Sequence, residues 1–389
     1  MAEHYDVVVI GGGIHGAGAA QAAACAGCSV LLIEKTALAA GSSSRSSKLI
    51  HGGLRYLEGL DFGLVRESLR ERAILGRIAP DLVQLRPFHI PVYPETSRRP
   101  LTLRAGLTLY ALLGGLRASS RFRKLARSEW HGLDGLKTEN LQAVFRYFDA
   151  QTNDSQLTKA VMQSAIDHGA RLSCPAEFVS AHVATAGCDI SYREGAVEKS
   201  CTASVLVNAA GPWVNAVAEC ISPAPPPMQI ELVQGAHLVM EEGLGQNCYY
   251  MEVPADRRAV FLLPWGEHSM LGTTEHSYTG DPAGVAILDS EEDYLLEVLR
   301  HYFPQRSQQV RERFAGLRVL PLSGDAAFRR SRETHLQPDN AQKPRLVAIY
   351  GGKLTGYRAT AAKIMKLVAP TLPGRMAVAD TATLMLRPA

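Results

Sequence analysis

The sequence predicts an α/β protein in which a helix-flanked parallel sheet carries an inserted antiparallel sheet, that is, an α+β second domain. Three observations lead to this fold class. Residues 6–26 form the pattern of an apolar strand, a glycine-rich turn and a helix of small residues, the helix covering 17–26. Two later apolar strands, at 203–208 and 346–350, are also followed by glycine, at Gly211 and Gly351. Short strands typical of an antiparallel sheet follow the second of these three elements, at 235–240, 259–264 and 269–272.

The glycine-rich turn has the spacing G-x-G-x-x-G, with Gly11, Gly13 and Gly16 in the glycine positions. In this pattern the first glycine permits the tight turn, the second lets a pyrophosphate approach the backbone, and the third lets the helix pack on the strand. The helix N-terminus adds amide donors and a positive dipole end. A second strand over 29–33 delivers Glu34, whose carboxylate can accept the hydroxyls of an adenosine ribose and disfavours a 2′-phosphate. The sequence therefore predicts a bound adenine dinucleotide.

Further elements follow from residue periodicity and from turn-forming residues. Phe62, Val65 and Leu69 recur at helical spacing and predict an amphipathic helix. The remaining elements are a Ser-rich turn at 41–48, a helix at 157–168, strands within 177–192, a stiff Pro-rich linker at 222–227, a helix at 290–302 and a terminal helix that reaches residue 368.

Length and composition are those of a two-domain globular chain of 389 residues with 46% hydrophobic residues. No leader precedes the first strand, and no apolar run approaches the roughly twenty residues of a spanning helix, so a cytoplasmic location is expected. The seven cysteines are scattered, which is typical of reduced thiols. Cys25 and Cys28 form C-x-x-C without a second pair nearby, and we interpret them as packing residues. No metal site is predicted.

A basic segment lies at 98–127, with eight Lys or Arg and no acidic residue around the apolar run 107–113. Such a segment can lie on an anionic membrane surface, with its apolar side down and its cations toward the headgroups. A core-packed helix followed by a solvated basic loop explains the same pattern equally well. Nucleic acid is not predicted as a partner, because no aromatic interleaving or reading module accompanies the charge.

The three strand-then-glycine elements suit FAD better than NAD, because a flavin has to be gripped along its extended length. At the last of them, Gly351 and Gly352 lead into a helix whose N-terminal amides can face the flavin pyrimidine ring and favour its reduced anion. No cysteine follows Cys248, so the FAD is expected to be held without a covalent link.

Five strings carry a family resemblance: SSKLIHGGLRYL at 46–57, VNAAGPWV at 207–214, GTT at 272–274, GLRVLP at 316–321 and GGKLTGYR at 351–358. Through them the chain resembles the FAD-dependent, respiratory-type glycerol-3-phosphate dehydrogenases, from residue 3 to about residue 368. We expect it to depart from them in lacking their usual C-terminal helical domain, and it has no proline after Arg318. The resemblance implies a Rossmann-like FAD-binding domain of the D-amino-acid-oxidase/glutathione-reductase type with an inserted substrate domain. The expected bounds are 1–88, 149–224 and 317–389 for the first, and 89–148 and 225–316 for the second.

The resemblance also implies which residues surround the ligands. Around the phosphate and hydroxyls of the substrate it places Arg55, Tyr56, Arg318, Arg332, Lys353 and Thr355. A phosphate dianion needs several converging cations and is best held by forked guanidinium groups, so the composition of this set is physically apt. Around the FAD it places Gly11, Gly13, Ile14, His15, Gly16, Glu34, Lys35, Ser43, Ser46, Ser47, Lys48, Leu49, Ala210, Gly211, Gly352, Lys353, Leu354 and Thr355.

The implied reaction is oxidation of sn-glycerol 3-phosphate, or a similar small phosphorylated alcohol, to dihydroxyacetone phosphate, with hydride passing from C2 to flavin N5. His51 and His237 are both candidates for the base that takes the hydroxyl proton, and Arg318 is counted with them as catalytic. Quinone or another carrier is the expected acceptor, with a peripheral position on the inner face of the cell membrane and a homodimer as further possible features. The alternatives are an FAD-dependent amine or amino-acid oxidase and a non-catalytic flavin-binding protein.

Overall fold

The computed structural model describes residues 3–322 and 334–388, which form two sheets with flanking helices. The helices are α1 (Ile14–Cys25), α2 (Phe62–Ile78), α3 (Pro100–Leu113), α4 (Asp154–Asp167), α5 (Val214–Glu219), α6 (Asp289–Tyr302) and α7 (Tyr357–Val368). The strands are β1 (Glu3–Ile10), β2 (Val30–Ile33), β3 (Leu49–Ile50), β4 (Val83–Val92), β5 (Arg123–Lys124), β6 (Ala143–Thr152), β7 (Arg171–Ser173), β8 (Glu177–Ala184), β9 (Gly187–Glu194), β10 (Val197–Asn208), β11 (Ile221–Ser222), β12 (Ile230–Met240), β13 (Cys248–Glu252), β14 (Ala259–Trp265), β15 (His268–Gly272), β16 (His276–Tyr278), β17 (Val310–Pro321), β18 (His335–Pro338) and β19 (Leu346–Tyr350).

The first sheet has the order β11-β8-β9-β10-β1-β2-β7, with β19 beside the end of β10 and β18 beside β19. Strands β7, β2, β1, β10 and β19 run parallel to their neighbours in this series. Strand β10 pairs with β1 on one side and with β19 on the other. The three strand-then-glycine elements therefore lie in one sheet, as predicted. Strands β2 and β19 and residues 5–10 of β1 are buried on both faces, which explains their nearly continuous apolar sequences.

Helix α1 packs against α4 and α7 on one face of the first sheet and contributes to the largest apolar core. It begins at Ile14, three residues before the predicted start, because the turn feeds directly into it. Gly16 lies so close to the turn that an added Cβ would be 1.9 Å from the carbonyl oxygen of Gly11. Gly16 therefore has the packing role that the sequence pattern assigns to the third glycine. Both thiols of the C-x-x-C pair, Cys25 at the end of this helix and Cys28 just after it, are free and buried, as expected of packing residues.

The second sheet has the order β16-β12-β15-β14-β13-β4-β6-β3, with β17 beside β12 and β5 beside β6. The predicted antiparallel arrangement holds for most pairs, but β13 and β4 run parallel, which corrects that prediction locally. This sheet also takes in β3 and all of β4, although the predicted FAD-binding range extends to residue 88. The domain bounds themselves stay a prediction. Residues 223–229 have no regular secondary structure and connect the two sheets, as the proline-rich sequence indicates.

Within the basic segment, helix α3 packs on the core with one face and exposes the other. Helix α3 buries Leu107 and Tyr110 in a core shared with the second sheet, while Leu101 and Leu112 on its other face are 80% and 55% exposed. The side chain of Arg98 is engaged by Glu58 and Glu252. Within residues 3–322 and 334–388, no helix combines the length and the apolar character that crossing a membrane requires.

Candidate functional site

A cavity of about 890 Å³ lies where the two sheets meet. It extends from the glycine turn after β1 to residues of β12, β14 and β17 in the second sheet. Its volume is in the range of cavities that hold cofactors and small ligands. Because its walls come from residues between Ile10 and Thr355, nearly the whole length of the chain contributes to one site.

The dinucleotide end of the cavity is shaped by the glycine turn and by Glu34. Gly11 has φ +103°, and an added Cβ would lie 2.7 Å from the carbonyl oxygen of Ala209, so a larger residue does not fit. The Gly12 amide donates to Oε2 of Glu34 over 2.6 Å, and the Thr36 amide donates to Oε1 over 2.8 Å. Two backbone donors thus fix this carboxylate at the end of β2, on the cavity wall.

His15 stands between the two glycine elements of the cavity. Its ring nitrogens are sealed from solvent, and neither has a hydrogen-bond partner among the described residues. Gly352, with φ +106°, faces the ring so closely that an added Cβ would be 2.2 Å from Nε2. Burial lowers the pKa of His15 to about 4, so the ring is neutral and carries one N–H donor at pH 7. The glycine backbone at Gly352 leaves space beside the His15 ring, whose N–H donor has no partner among the described residues. This arrangement fits an extended ligand such as FAD.

The Ser-rich turn forms a third side of the cavity. Ser43 accepts a hydrogen bond from the Ile14 amide, 2.9 Å away, and Ser47 shares one with Nε2 of His237 over the same distance. Lys48 is not among the residues on the cavity wall, and its Nζ lies 2.7 Å from Oδ1 of Asp154 in a buried ion pair. Its part in cofactor binding stays a prediction.

At the other end of the cavity, cationic side chains converge. Arg318 on β17 has Nη1 3.5 Å from Oε1 of Glu275, and Arg55 has Nη2 3.8 Å from the same oxygen. The Lys353 ammonium lies 3.8 Å from the centre of the Tyr56 ring. All five side chains line the cavity. The predicted partner Arg332 lies outside the described residues.

The two candidate bases occupy different environments. His237 is 2% exposed, stacked on Phe314 at 5.0 Å between ring centres, and bonded through Nε2 to Ser47. Burial, with the nearby Arg318 cation, lowers the pKa of His237 to about 3. His51 is only half-buried on the cavity wall, with its ring 6.1 Å from that of Tyr56.

The structure brings most of the predicted residues to this one cavity. Those on its wall are His51, His237, Arg318, Arg55, Tyr56, Lys353, Thr355, Gly11, Gly13, Ile14, His15, Glu34, Lys35, Ser43, Ser46, Ser47, Leu49, Ala210, Gly211, Gly352 and Leu354. Gly16 and Lys48 are not on the wall.

Sequence reasoning missed several wall residues. Glu275 directly follows the quoted GTT string, so its position next to a family motif was a usable signal. Trp213 is inside another quoted string and had the same signal. Tyr250, Phe261 and Asp149 lie within strands of the second sheet, and no local pattern marks them as different from core residues.

Comparison with known proteins agrees with this geometry. The family described as "FAD dependent oxidoreductase" matches residues 6–365. Glycerol-3-phosphate dehydrogenase of Pseudomonas tolaasii is 38% identical over 385 residues, covering 95% of this chain and 72% of that protein. Aerobic glycerol-3-phosphate dehydrogenase of Escherichia coli is 35% identical over 383 residues, covering 96% of this chain and 75% of that protein. The structure of glycerol-3-phosphate dehydrogenase from Bacillus halodurans complexed with FAD is similar with a TM-score of 0.75 and 26% identity, covering 98% and 68% of the two chains.

Proposed function

Because the chain belongs to the FAD dependent oxidoreductase family and, within it, to the glycerol-3-phosphate dehydrogenases, we propose that it oxidises sn-glycerol 3-phosphate to dihydroxyacetone phosphate. FAD is the cofactor of this family. The observation that carries the substrate assignment is the presence of Arg55, Arg318 and Lys353 on the cavity wall that also holds His51, with the two arginines 3.8 and 3.5 Å from the same Glu275 oxygen. Guanidinium groups bind phosphate by paired hydrogen bonds, and the ammonium adds a point charge.

FAD, when bound, supplies the flavin ring whose N5 accepts hydride from C2 of the substrate. The glycine turn, Glu34 and His15 are the residues that would hold its adenosine and diphosphate portion and the region next to it. Gly352, Leu354 and Thr355, in the segment just before α7, would hold the ring edge, where the amides at the helix N-terminus favour negative charge.

We assign the removal of the hydroxyl proton to His51 rather than His237. A general base works best when its pKa is near the operating pH, and a pKa of about 3 makes His237 a weak base. The His237 ring is also hydrogen-bonded to Ser47 through Nε2 and stacked on Phe314. His51 lines the cavity near Tyr56 and the cations, so a substrate whose phosphate is held there presents its C2 hydroxyl to this ring.

We also propose an electron acceptor and a mode of membrane attachment. Quinone or another carrier would reoxidise the flavin, and the basic segment 98–127 would attach the protein peripherally to the inner face of the membrane. In support of attachment, Leu101, Leu112 and Leu116 are exposed on or beside α3 and close in sequence to exposed Arg117 and Arg121. We include a homodimer in this proposal.

Anaerobic bleaching of the bound flavin tests the function. Glycerol 3-phosphate should reduce the yellow FAD, while glycerol, sarcosine and D-amino acids at equal concentration should leave it oxidised. Bleaching by sarcosine or a D-amino acid alone would identify an amine or amino-acid oxidase. No bleaching by any of them, with dithionite still effective, would contradict the proposed reaction.

A further inference from the structure

Behind His51 lies a buried charged cluster that the reaction itself does not use. Asp149 on β6 is 3% exposed, and its Oδ1 accepts a hydrogen bond from the Gly52 amide over 2.9 Å. The same oxygen accepts from the Tyr110 hydroxyl over 2.9 Å and is paired with the Arg72 guanidinium. Arg72 is itself anchored to the carbonyl oxygens of Phe148 and Ser119, over 2.6 and 2.9 Å.

The opposite side of the same backbone is held by the turn that precedes α7. The His51 amide donates to Oγ1 of Thr355 over 3.1 Å, and Thr355 is 1% exposed. Two consecutive amides, of His51 and Gly52, are thus bound to two different buried side chains. Gly52 leaves no room for adjustment, since an added Cβ would lie 2.1 Å from the Tyr110 oxygen. The peptide that carries the proposed base is fixed from both sides.

We propose that Asp149 is a positioning residue for His51, an inference that rests on the assignment of His51 as base. A buried ion pair such as Asp149–Arg72 gives little net stability, because desolvation of both charges offsets their attraction. A displacement of about 1 Å at a reacting group, however, can cost about 100-fold in rate. The Asp149 carboxylate accepts a hydrogen bond from the Gly52 amide, directly next to His51. Loss of this bond would displace the His51 ring relative to the substrate.

The test is a double-mutant cycle on the rate of flavin reduction by glycerol 3-phosphate, measured by anaerobic stopped flow on the holoenzyme. Asp149→Asn should lower the limiting rate about 10- to 100-fold, with the affinities for FAD and for glycerol 3-phosphate changed less than about threefold. In a His51→Asn background the same substitution should change the rate less than about twofold, because its effect passes through His51. Tyr110→Phe should give a smaller loss of the same kind, and it replaces Asp149→Asn if that variant does not fold.

Glu71→Gln is the matched control, because Glu71 is a buried carboxylate paired with Arg358. It should lower thermal stability and leave the reduction rate unchanged. A full Asp149→Asn penalty in the His51→Asn background, or a reduction rate in Asp149→Asn within twofold of wild type, would overturn the inference. A His51→Asn enzyme that reduces its flavin at the wild-type rate would instead remove the base assignment, and the inference with it.

Discussion

Arg318 donates through Nη2 to the hydroxyl of Thr273, 3.1 Å away on the segment that follows β15. This contact and the nearby Glu275 hold the guanidinium at the cavity wall without a ligand. We expect Arg318→Ala to weaken glycerol 3-phosphate binding by about 2–5 kcal/mol, because a buried phosphate loses a charged partner. The dissociation constant is measured by titrating the flavin spectrum.

Arg313→Ala is the control for this prediction, since Arg313 is exposed on the same strand and paired with Glu292 at the surface. FAD binding should be unchanged in both variants. An unchanged substrate affinity in Arg318→Ala would place the phosphate elsewhere.

His15 should contribute a hydrogen bond to FAD. His15→Leu removes the buried donor, and the loss of about 1 kcal/mol corresponds to roughly fivefold weaker FAD binding. His15→Gln keeps a donor and should bind FAD more tightly than the Leu variant. Titration of apoprotein with FAD, followed by flavin fluorescence, gives both constants. Equal affinity in wild type and His15→Leu would show that the ring does not contact the cofactor.

The FAD should be released intact by acid precipitation, with all yellow colour in the supernatant. Cys220 lines the cavity, but its thiol is directed to the Ala216 carbonyl oxygen, 3.6 Å away. Cys220→Ser should therefore release the same amount of flavin. Colour that remains in the wild-type pellet would reveal a covalent link, and FMN in the supernatant would contradict the dinucleotide assignment.

Stability should fall in mild acid because His89 is buried in its neutral form. Burial lowers the pKa of His89 from 6.5 to about 4. Above pH 6.5 both folded and unfolded states are neutral at this ring, whereas below it the unfolded state binds the proton first, so the free energy of unfolding decreases from pH 6.5 toward pH 4. Between pH 7 and 5, wild type should lose about 2 kcal/mol more than His89→Gln. Urea unfolding of the two holoenzymes measures this, and parallel pH dependences would refute it.

Attachment through the basic segment should be peripheral and salt-sensitive. Each cation near an anionic leaflet contributes about 1 kcal/mol, screened by salt. Cosedimentation with anionic vesicles should fall as salt rises and should need the cations of this segment. The test variant replaces Arg117, Arg121, Arg123 and Lys124 by Ser, and the control replaces the exposed Lys159, Lys343 and Lys366. Equal binding to neutral vesicles, or binding lost equally in the control, would contradict attachment by this segment.

The first sheet could be predicted from the sequence because its signals are local. A continuous apolar strand followed by glycine and a helix is recognisable at β1 and β19. At β10 an apolar strand is followed by glycine. A shared sheet is the arrangement that lets all three elements reach one ligand. Helix α1 begins three residues before the predicted start. Glycine lowers helix propensity, but Gly16 and Gly18 lie within this helix because close packing requires them there.

The second sheet was less predictable for a physical reason. Strand β3 has two residues and gains its identity only from pairing with β6, about a hundred residues later. The Asp149 cluster likewise joins α2, α3 and β6, and a buried charge has no periodic signature in sequence. The family resemblance places Lys48 at the cofactor, whereas its ion pair with Asp154 depends on a contact across 106 positions, which no local pattern indicates.

The placement of β1 between β10 and β2 has a consequence during synthesis of the chain. The first strand emerges early, but its neighbour β10 is complete only at Asn208, and the described cavity wall extends to Thr355. At about 5–20 residues per second, the apolar β1 waits roughly 10–40 seconds for β10, and the last of these wall residues follows β1 by roughly 20–70 seconds. FAD can then bind only the finished fold, and a hundredfold excess over its dissociation constant adds about 2.7 kcal/mol to the stability of that fold. The supply of flavin in the cell therefore adds to the stability of the newly made chain.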